Sequence, residues 1–132
     1  MKYSTKLHEN YVLLQLQEEK LTSSIAPDLK SALVMLGAQG IRNIILDMSE
    51  VNYADSSGLS ALLRANSIAA DANGLFIIFG LTDHVLKLIK ITQLDRVFNI
   101  LPSQQEAIEA VFMHEIESDI TEDEEEEEES AE

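Results

Sequence analysis

The stretch NIILDMSEVNYADSSGLSALLRA, residues 43–65, decides the fold class of this chain. It opens with a nearly continuous apolar run, which is typical of a strand that is covered on both faces of a sheet. A helical pattern then runs from about Ser56 to Ala72, and LFIIFG supplies a second buried strand. Strand, helix and strand from Ile44 to Phe79 make a βαβ unit, whose crossover should be right-handed.

The N-terminal part of the chain predicts a hairpin and a helix. Alternating apolar residues indicate strands at Tyr3 to Leu7 and Tyr11 to Leu16, with HEN as the turn between them. The helix that follows has Ser23 or Ser24 as candidate caps and Pro27 in its first turn. Because a hairpin pairs its strands antiparallel, the sheet should be mixed.

Beyond the βαβ unit, the pattern predicts two more helices. Residues 82–92 have amphipathic periodicity, VFNIL is a short apolar piece, and a last helix runs from about Ser103 to Ile116. The fold class is therefore α/β: a small mixed sheet of about four to five strands, flanked by about four helices. Residues 1–116 are expected to form this one domain.

The C-terminus carries most of the formal net charge of −15. Residues 115–132 contain twelve acids and no base, whereas the other 114 residues have a net charge of −3. A block of six glutamates repels itself and buries no apolar surface, so residues 117–132 are expected to form a disordered tail. A solubilising role for this tail is favoured over a partner-binding arm.

Composition excludes several classes of protein. The chain has no cysteine, and no apolar run approaches the roughly 20 residues that a membrane span needs. The N-terminus lacks the apolar core of a signal peptide, so a cytoplasmic location is expected. No basic stripe is present, which argues against direct binding of nucleic acid.

The motifs of common enzymes and cofactor sites are also missing. The sequence has no G-x-G-x-x-G or G-x-x-x-x-G-K loop, and ADSSGL is not the nucleophile elbow of a hydrolase. His8, His84 and His114 fall on separate elements without metal-ligand spacing. We therefore expect a protein that is not an enzyme and that needs no metal or cofactor.

The segment DSSG, residues 55–58, admits two interpretations. Asp55 or Ser56 is a good cap for the second helix, and Gly58 permits close approach of the backbone. An ordinary helix cap needs no function. However, open α/β sheets place functional groups between the carboxyl end of a strand and the next helix, and a helix N-terminus tolerates phosphate. Ser56 is therefore a candidate phosphoacceptor.

The 43–65 stretch, followed by GLFIIFGLTDHVLKLIKITQLDRVFNI, resembles the STAS domains of bacterial anti-sigma factor antagonists. The resemblance covers about Tyr3 to Met113 and is most specific from Ile44 to Ile100. It implies a binding protein that engages a serine kinase, itself an anti-sigma factor, and so frees a sigma factor. The kinase phosphorylates the first serine of D-S-S-G, which ends binding, and a serine phosphatase restores it.

The resemblance also implies a set of site residues. The phosphorylated serine corresponds to Ser56, and the implied partner-binding residues are Asp55, Ser57, Gly58, Leu59, Leu63, Thr22 and Ser23. Thr22 stands in the loop EEKLTSS, roughly where many members of the family carry an acid. Two other functions stay open: a constitutive STAS scaffold in a larger complex, in which Ser56 is only a cap, and a small-ligand-binding module with its pocket at the DSSG loop.

Overall fold

The computed structural model describes the backbone of residues 1–130 and the side chains of residues 1–120. The seven strands are β1 Tyr3–Leu7, β2 Val12–Leu16, β3 Lys20–Leu21, β4 Ile44–Asp47, β5 Tyr53–Ala54, β6 Phe76–Phe79 and β7 Asn99–Leu101. The four α-helices are α1 Ala26–Ala38, α2 Ser56–Asp71, α3 Asp83–Ile91 and α4 Gln104–Ser130, and a short 3-10 helix lies at Leu94–Arg96.

Five strands form the main sheet, in the order β1-β2-β4-β6-β7. The β1–β2 pair is antiparallel, and the other three pairs are parallel. In register, Val12 lies opposite Ile44, and Ile44 lies opposite Phe76. The predicted hairpin, βαβ unit and mixed α/β sheet are therefore confirmed.

The two faces of this sheet are covered unequally. Successive parallel strands are joined through α1, α2 and α3, and right-handed crossovers place all three helices on one face. Their apolar side chains form the larger core cluster with alternate residues of the strands. α4 packs on the other face through Ala107 and Val111, against Ile45 and Ile77. Every residue of β6 is buried, which explains its unbroken apolar sequence.

The start of α1 differs from the sequence prediction. The N-cap position is Ile25, which provides no side-chain hydrogen bond, so neither Ser23 nor Ser24 caps the helix. The chain enters α1 through a turn in which the Thr22 carbonyl accepts from the amides of both Ile25 and Ala26. The serines lie within that turn, before the helix begins. Pro27 does lie in the first helical turn, as predicted.

A second, very small sheet was not predicted. β3 and β5 are two-residue strands that pair in parallel, with Lys20 opposite Tyr53 and Leu21 opposite Ala54. Such short segments carry no periodicity, so a pattern search does not find them. This pair has a specific consequence: it fixes the loop after β2 directly beside the start of α2.

Helix α4 continues past the predicted helix end at Ile116. Residues 117–120, which were expected to begin the tail, are helical and contain neither glycine nor proline, the two residues most unfavourable in a helix. The side chains of residues 121–132 lie outside the described residues, and disorder of the acidic tail stays a prediction. Within the described part of the chain, no helix combines the length and apolar character needed to cross a bilayer.

Candidate functional site

Asp55 caps the helix that presents the candidate phosphoacceptor. It adopts an extended conformation, and its Oδ1 accepts a hydrogen bond of 2.9 Å from the amide of Gly58. This is the standard geometry in which an N-cap carboxylate satisfies one of the free amides of a helix start. Of the two predicted cap candidates, Asp55 is therefore the cap, and Ser56 is the first residue of α2.

Asp55 also connects α2 to the loop that precedes α1. Its Oδ2 accepts a hydrogen bond of 3.3 Å from the amide of Ser23, and its own amide donates to the Leu21 carbonyl at 3.2 Å. The same loop is closed by a 3.1 Å hydrogen bond between the hydroxyls of Thr22 and Ser24. One carboxylate thus brings together the two segments that the family resemblance assigned to the site.

Gly58 is required by the close approach of the two segments. A Cβ atom on this residue would lie 2.3 Å from the carbonyl oxygen of Leu21 and 2.8 Å from its Cγ. Neither distance is compatible with an ordinary van der Waals contact. Gly58 is buried, so it shapes the site without offering a partner any surface.

The Ser56 side chain is exposed, whereas Ser57 is half-buried. Among the described residues, neither hydroxyl has a hydrogen-bond partner, and the amides of Ser56 and Ser57 come too early in α2 to find an intrahelical acceptor. These amides and the helix dipole favour negative charge at this position. The helix start can therefore accommodate a phosphoryl group on Ser56 while Asp55 keeps the cap.

Leu59, like Gly58, lies beneath the surface that was predicted to bind a partner. Leu59 is only 5% exposed and belongs to the core cluster, because it lies on the side of α2 that faces the sheet. It therefore has no surface to offer a partner. Leu63 is 38% exposed and remains on the outer side of the helix, one turn beyond Ser60.

A groove between α1 and α2 adds residues that the sequence analysis missed. It is lined by Lys30, Ser60, Leu63, Arg64 and Ser67. The Lys30 ammonium donates to the Ser60 hydroxyl at 3.3 Å, and neither Lys30 nor Arg64 is in an ion pair within residues 1–120. The signal was present in the sequence, because positions 60, 63, 64 and 67 follow Ser56 at helical spacing.

The histidines have structural partners in the described chain. His8 stacks on Tyr11, and the ring of His84 stacks on Tyr53 with centroids 5.8 Å apart. The Nε2 atom of His114 lies 2.9 Å from the Asn73 carbonyl oxygen. Within the described residues, no group of three acidic or histidine side chains is arranged to hold a metal ion.

A buried polar cluster lies between the N-terminal ends of β4 and β6. Asn43 is 1% exposed; its amide nitrogen donates to Glu115 at 2.6 Å, and its amide oxygen accepts from the Leu75 amide. The Arg42 guanidinium pairs with Glu115 at 2.5 Å. Burial would raise the pKa of Glu115, but the hydrogen bonds and charge of its partners outweigh it and hold that pKa below its usual value. This cluster holds α4 on the sheet.

A mixed five-stranded sheet with its crossover helices on one face defines a small α/β domain, and an exposed serine stands at one of its capped helix starts. The family model for the STAS domain matches residues 2–107. The chain belongs to the STAS domain family, as its sequence resemblance suggested.

The chain is also similar in sequence to anti-sigma-B factor antagonists. The chain is 31% identical over 75 residues to the anti-sigma-B factor antagonist of Listeria monocytogenes. This match covers 57% of the chain and 66% of the relative, so the chain spans slightly less than two thirds of that protein's length.

Two solved structures show the same fold. An anti-sigma factor antagonist from Mycobacterium paratuberculosis superposes with a TM-score of 0.74 at 22% identity, over 83% of this chain and 92% of that one. The Bacillus cell fate determinant SpoIIAA, in its phosphorylated form, superposes with a TM-score of 0.65 at 18% identity, over 83% and 99% of the two chains.

Proposed function

We propose that this protein is an anti-sigma factor antagonist controlled by phosphorylation of Ser56. In this role it binds an anti-sigma factor that is also a serine kinase and thereby releases a sigma factor. The observation that carries the proposal is the exposed Ser56 hydroxyl at the first position of α2, where Asp55 already supplies the cap. A hydroxyl that has no structural duty is free to serve as a phosphoacceptor.

The proposed partner surface surrounds Ser56 on the outer side of α1 and α2. It comprises Asp55, Ser57, Leu63 and the neighbouring loop residues Thr22 and Ser23. Lys30 and Arg64 extend it along the groove as two cations without a carboxylate partner in the described chain. An apolar side chain between positive charges suits a partner segment that carries an acid beside an apolar residue.

The negative charge of a phosphate on Ser56 would repel a partner carboxylate strongly enough to open this interface. A phosphoserine adds about −1.5 to −2 charges at neutral pH. One partner carboxylate at about 5 Å is repelled by about 3 kcal/mol at an effective dielectric near 20. A hundredfold loss of affinity needs only about 2.7 kcal/mol. Because the Asp55 cap is separate from the phosphorylated oxygen, the switch needs no change of fold.

The remaining parts of the proposal follow from this mechanism. A serine phosphatase that acts on the phosphorylated form restores binding, and both steps take place in the cytoplasm with the sigma factor. The protein acts by binding and not by catalysis, without a cofactor, and it contacts neither nucleic acid nor membrane directly. The named relatives and the site geometry support this role.

Three variants test the assignment of Ser56. Ser56→Ala should bind the anti-sigma kinase normally but accept no phosphate, because Asp55 retains the helix cap. Ser56→Asp should bind at least several-fold more weakly, since it places one charge where phosphate places nearly two. Ser57→Ala is the matched control for the acceptor position and should still be phosphorylated. Calorimetric titration with the purified kinase measures affinity, and intact mass measures phosphate.

The alternatives give different results in the same experiments. A constitutive scaffold would acquire no phosphate from any anti-sigma kinase of its organism, and Ser56→Asp would leave its interactions unchanged. A small-ligand-binding module would carry a reproducible mass adduct in native mass spectrometry. The proposed function would be refuted if either result were obtained and phosphate were also mapped to Ser57 or to no residue.

A further inference from the structure

Between Ala107 and Ile120, where its side chains are described, helix α4 carries apolar residues on two sides. Its inner side places Ala107 and Val111 in the smaller core cluster against the sheet. Its outer side carries a second apolar row, which we name the outer stripe: Phe112 at 48% exposure, Met113 at 56%, Ile116 at 52% and Ile120 at 52%. A helix that only covers a sheet needs a single apolar side, and its other side is normally polar.

The outer stripe is continuous from Phe112 to Ile120. Met113, Ile116 and Ile120 follow the i, i+3, i+7 spacing, and Phe112 lies four residues before Ile116. The three other phenylalanines of the chain are at most 8% exposed, so Phe112 is the exception. Aromatic residues and methionine are enriched in protein interfaces relative to the rest of the surface. The stripe therefore has the composition and geometry of a docking face for a helix.

The charge around the outer stripe defines the kind of partner. The exposed acids Glu117 and Asp119 flank it on its two sides, and Glu109 precedes it on the same side of the helix. From Val97 to Glu132 the sequence contains fourteen acids and no lysine or arginine. A second copy of the chain would bring an identical set of acids against these, and an anionic membrane surface would be repelled in the same way.

We propose that the outer stripe binds a basic amphipathic helix of another protein. The apolar side of that helix would pack on Phe112, Met113, Ile116 and Ile120, and its lysines or arginines would face the flanking acids. The acidic sequence that follows Ile120 would add long-range attraction and raise the rate of association. This surface lies on the opposite face of the sheet from Ser56, and the inference does not depend on the proposed function.

A model peptide tests the proposal on the full chain. The probe is a labelled 18-residue peptide of leucine and lysine with all leucines on one helical side. A peptide of identical composition with its leucines scattered is the control for charge. In fluorescence anisotropy at physiological salt, the protein should bind the amphipathic peptide with 1:1 stoichiometry and at least tenfold more tightly than the scattered one. Equal affinity for both peptides would mean that charge alone acts, and it would overturn the proposal.

Substitutions locate the site on the outer stripe. Met113→Gln combined with Ile116→Gln should weaken peptide binding at least tenfold, whereas Ile91→Gln should leave it unchanged. Ile91 is a matched control, because it is 70% exposed but lies on α3, on the other face of the sheet. Circular dichroism confirms that each variant is folded. A second variant, Ile120→Gln alone, should weaken peptide binding by a smaller factor. Unchanged binding in the folded variants, or a wild-type dimer that Ile116→Gln dissociates, would refute the inference.

Discussion

Replacing Gly58 by alanine tests whether the close contact between the start of α2 and the loop at Leu21 holds the site in place. The new methyl carbon would lie 2.3 Å from the Leu21 carbonyl oxygen, roughly 1 Å inside an ordinary contact. The atom that the methyl carbon meets is a backbone oxygen and not the end of a flexible side chain. The β3–β5 pair must therefore move away from α2. That movement stretches the 3.2 Å hydrogen bond from the Asp55 amide to Leu21.

The expected magnitude follows from three opposing effects. Overpacking of this kind costs about 1–3 kcal/mol, and loss of the hydrogen bond costs about 1 kcal/mol. Alanine regains about 1 kcal/mol through its higher helix propensity. The free energy of unfolding of Gly58→Ala should therefore fall by about 2 kcal/mol. For a chain of this size, that fall lowers Tm by roughly 8 °C.

Urea unfolding followed by circular dichroism measures this change. Ser67→Ala is the matched control, because Ser67 is exposed on the same helix and should change stability by less than about 0.5 kcal/mol. If Gly58→Ala were as stable as wild type, or more stable by the propensity difference alone, the contact with Leu21 would not be a constraint. The description of Gly58 as a residue that positions the site would then be wrong.

Two further substitutions test the contacts of the carboxylates. Asp55→Ala removes the α2 cap and the hydrogen bond to the Ser23 amide, and it should lower the free energy of unfolding by about 2 kcal/mol in the same urea assay, with Asp55→Asn losing less. The pKa of Glu115 is lower in the folded chain than in the unfolded chain, where it is about 4.3. Its pairing with Arg42 therefore stabilises the fold fully above that unfolded pKa, and the stabilisation is lost as the pH falls through the folded pKa. The stability advantage of wild type over Glu115→Gln should therefore be constant from pH 7 to about 5 and shrink below about pH 4, whereas an advantage independent of pH would contradict this assignment.

The main elements of the fold were predictable because their apolar patterns are strong. IILD and FIIF are buried over nearly their whole length, and this follows from their central place in a parallel sheet. The start of α2 was also predictable, since Asp55 precedes a clear helical period and sits at a strand-to-helix junction. The family resemblance added the role of Ser56, which a cap motif alone does not supply.

The details that escaped prediction depend on tertiary contacts. The β3–β5 pair consists of two residues in each strand, and only the folded chain brings Leu21 beside Gly58. The Ser23 and Ser24 hydroxyls look like caps in the sequence, but the turn carbonyl of Thr22 takes over the amides at the start of α1. Side-chain caps and turns compete for the same amides at a helix start, so the local sequence does not decide between them.

The helical period of α2 distinguishes its core leucines from its surface leucines, and Leu59 was assigned to the wrong group. Leu59 and Leu62 lie three residues apart on the core side of α2, and both are buried. Leu63 lies seven residues after Ser56, which is two helical turns, so it shares the outer side with the serine. The number of turns from the phosphoacceptor therefore separates core leucines from surface leucines, whereas adjacency to the DSSG motif does not.

The arrangement of helices keeps the two proposed surfaces electrostatically apart. Ser56 belongs to the three-helix face, and the outer stripe belongs to α4 on the far side of the sheet. With helix and sheet layers about 10 Å apart, two helices on opposite faces are separated by about 20 Å, which exceeds two Debye lengths at physiological salt. A phosphate on Ser56 can thus repel a partner at its own helix while leaving the field at α4 almost unchanged. The two surfaces should therefore bind additively, so that a partner held by α4 stays in place when the Ser56 interface opens.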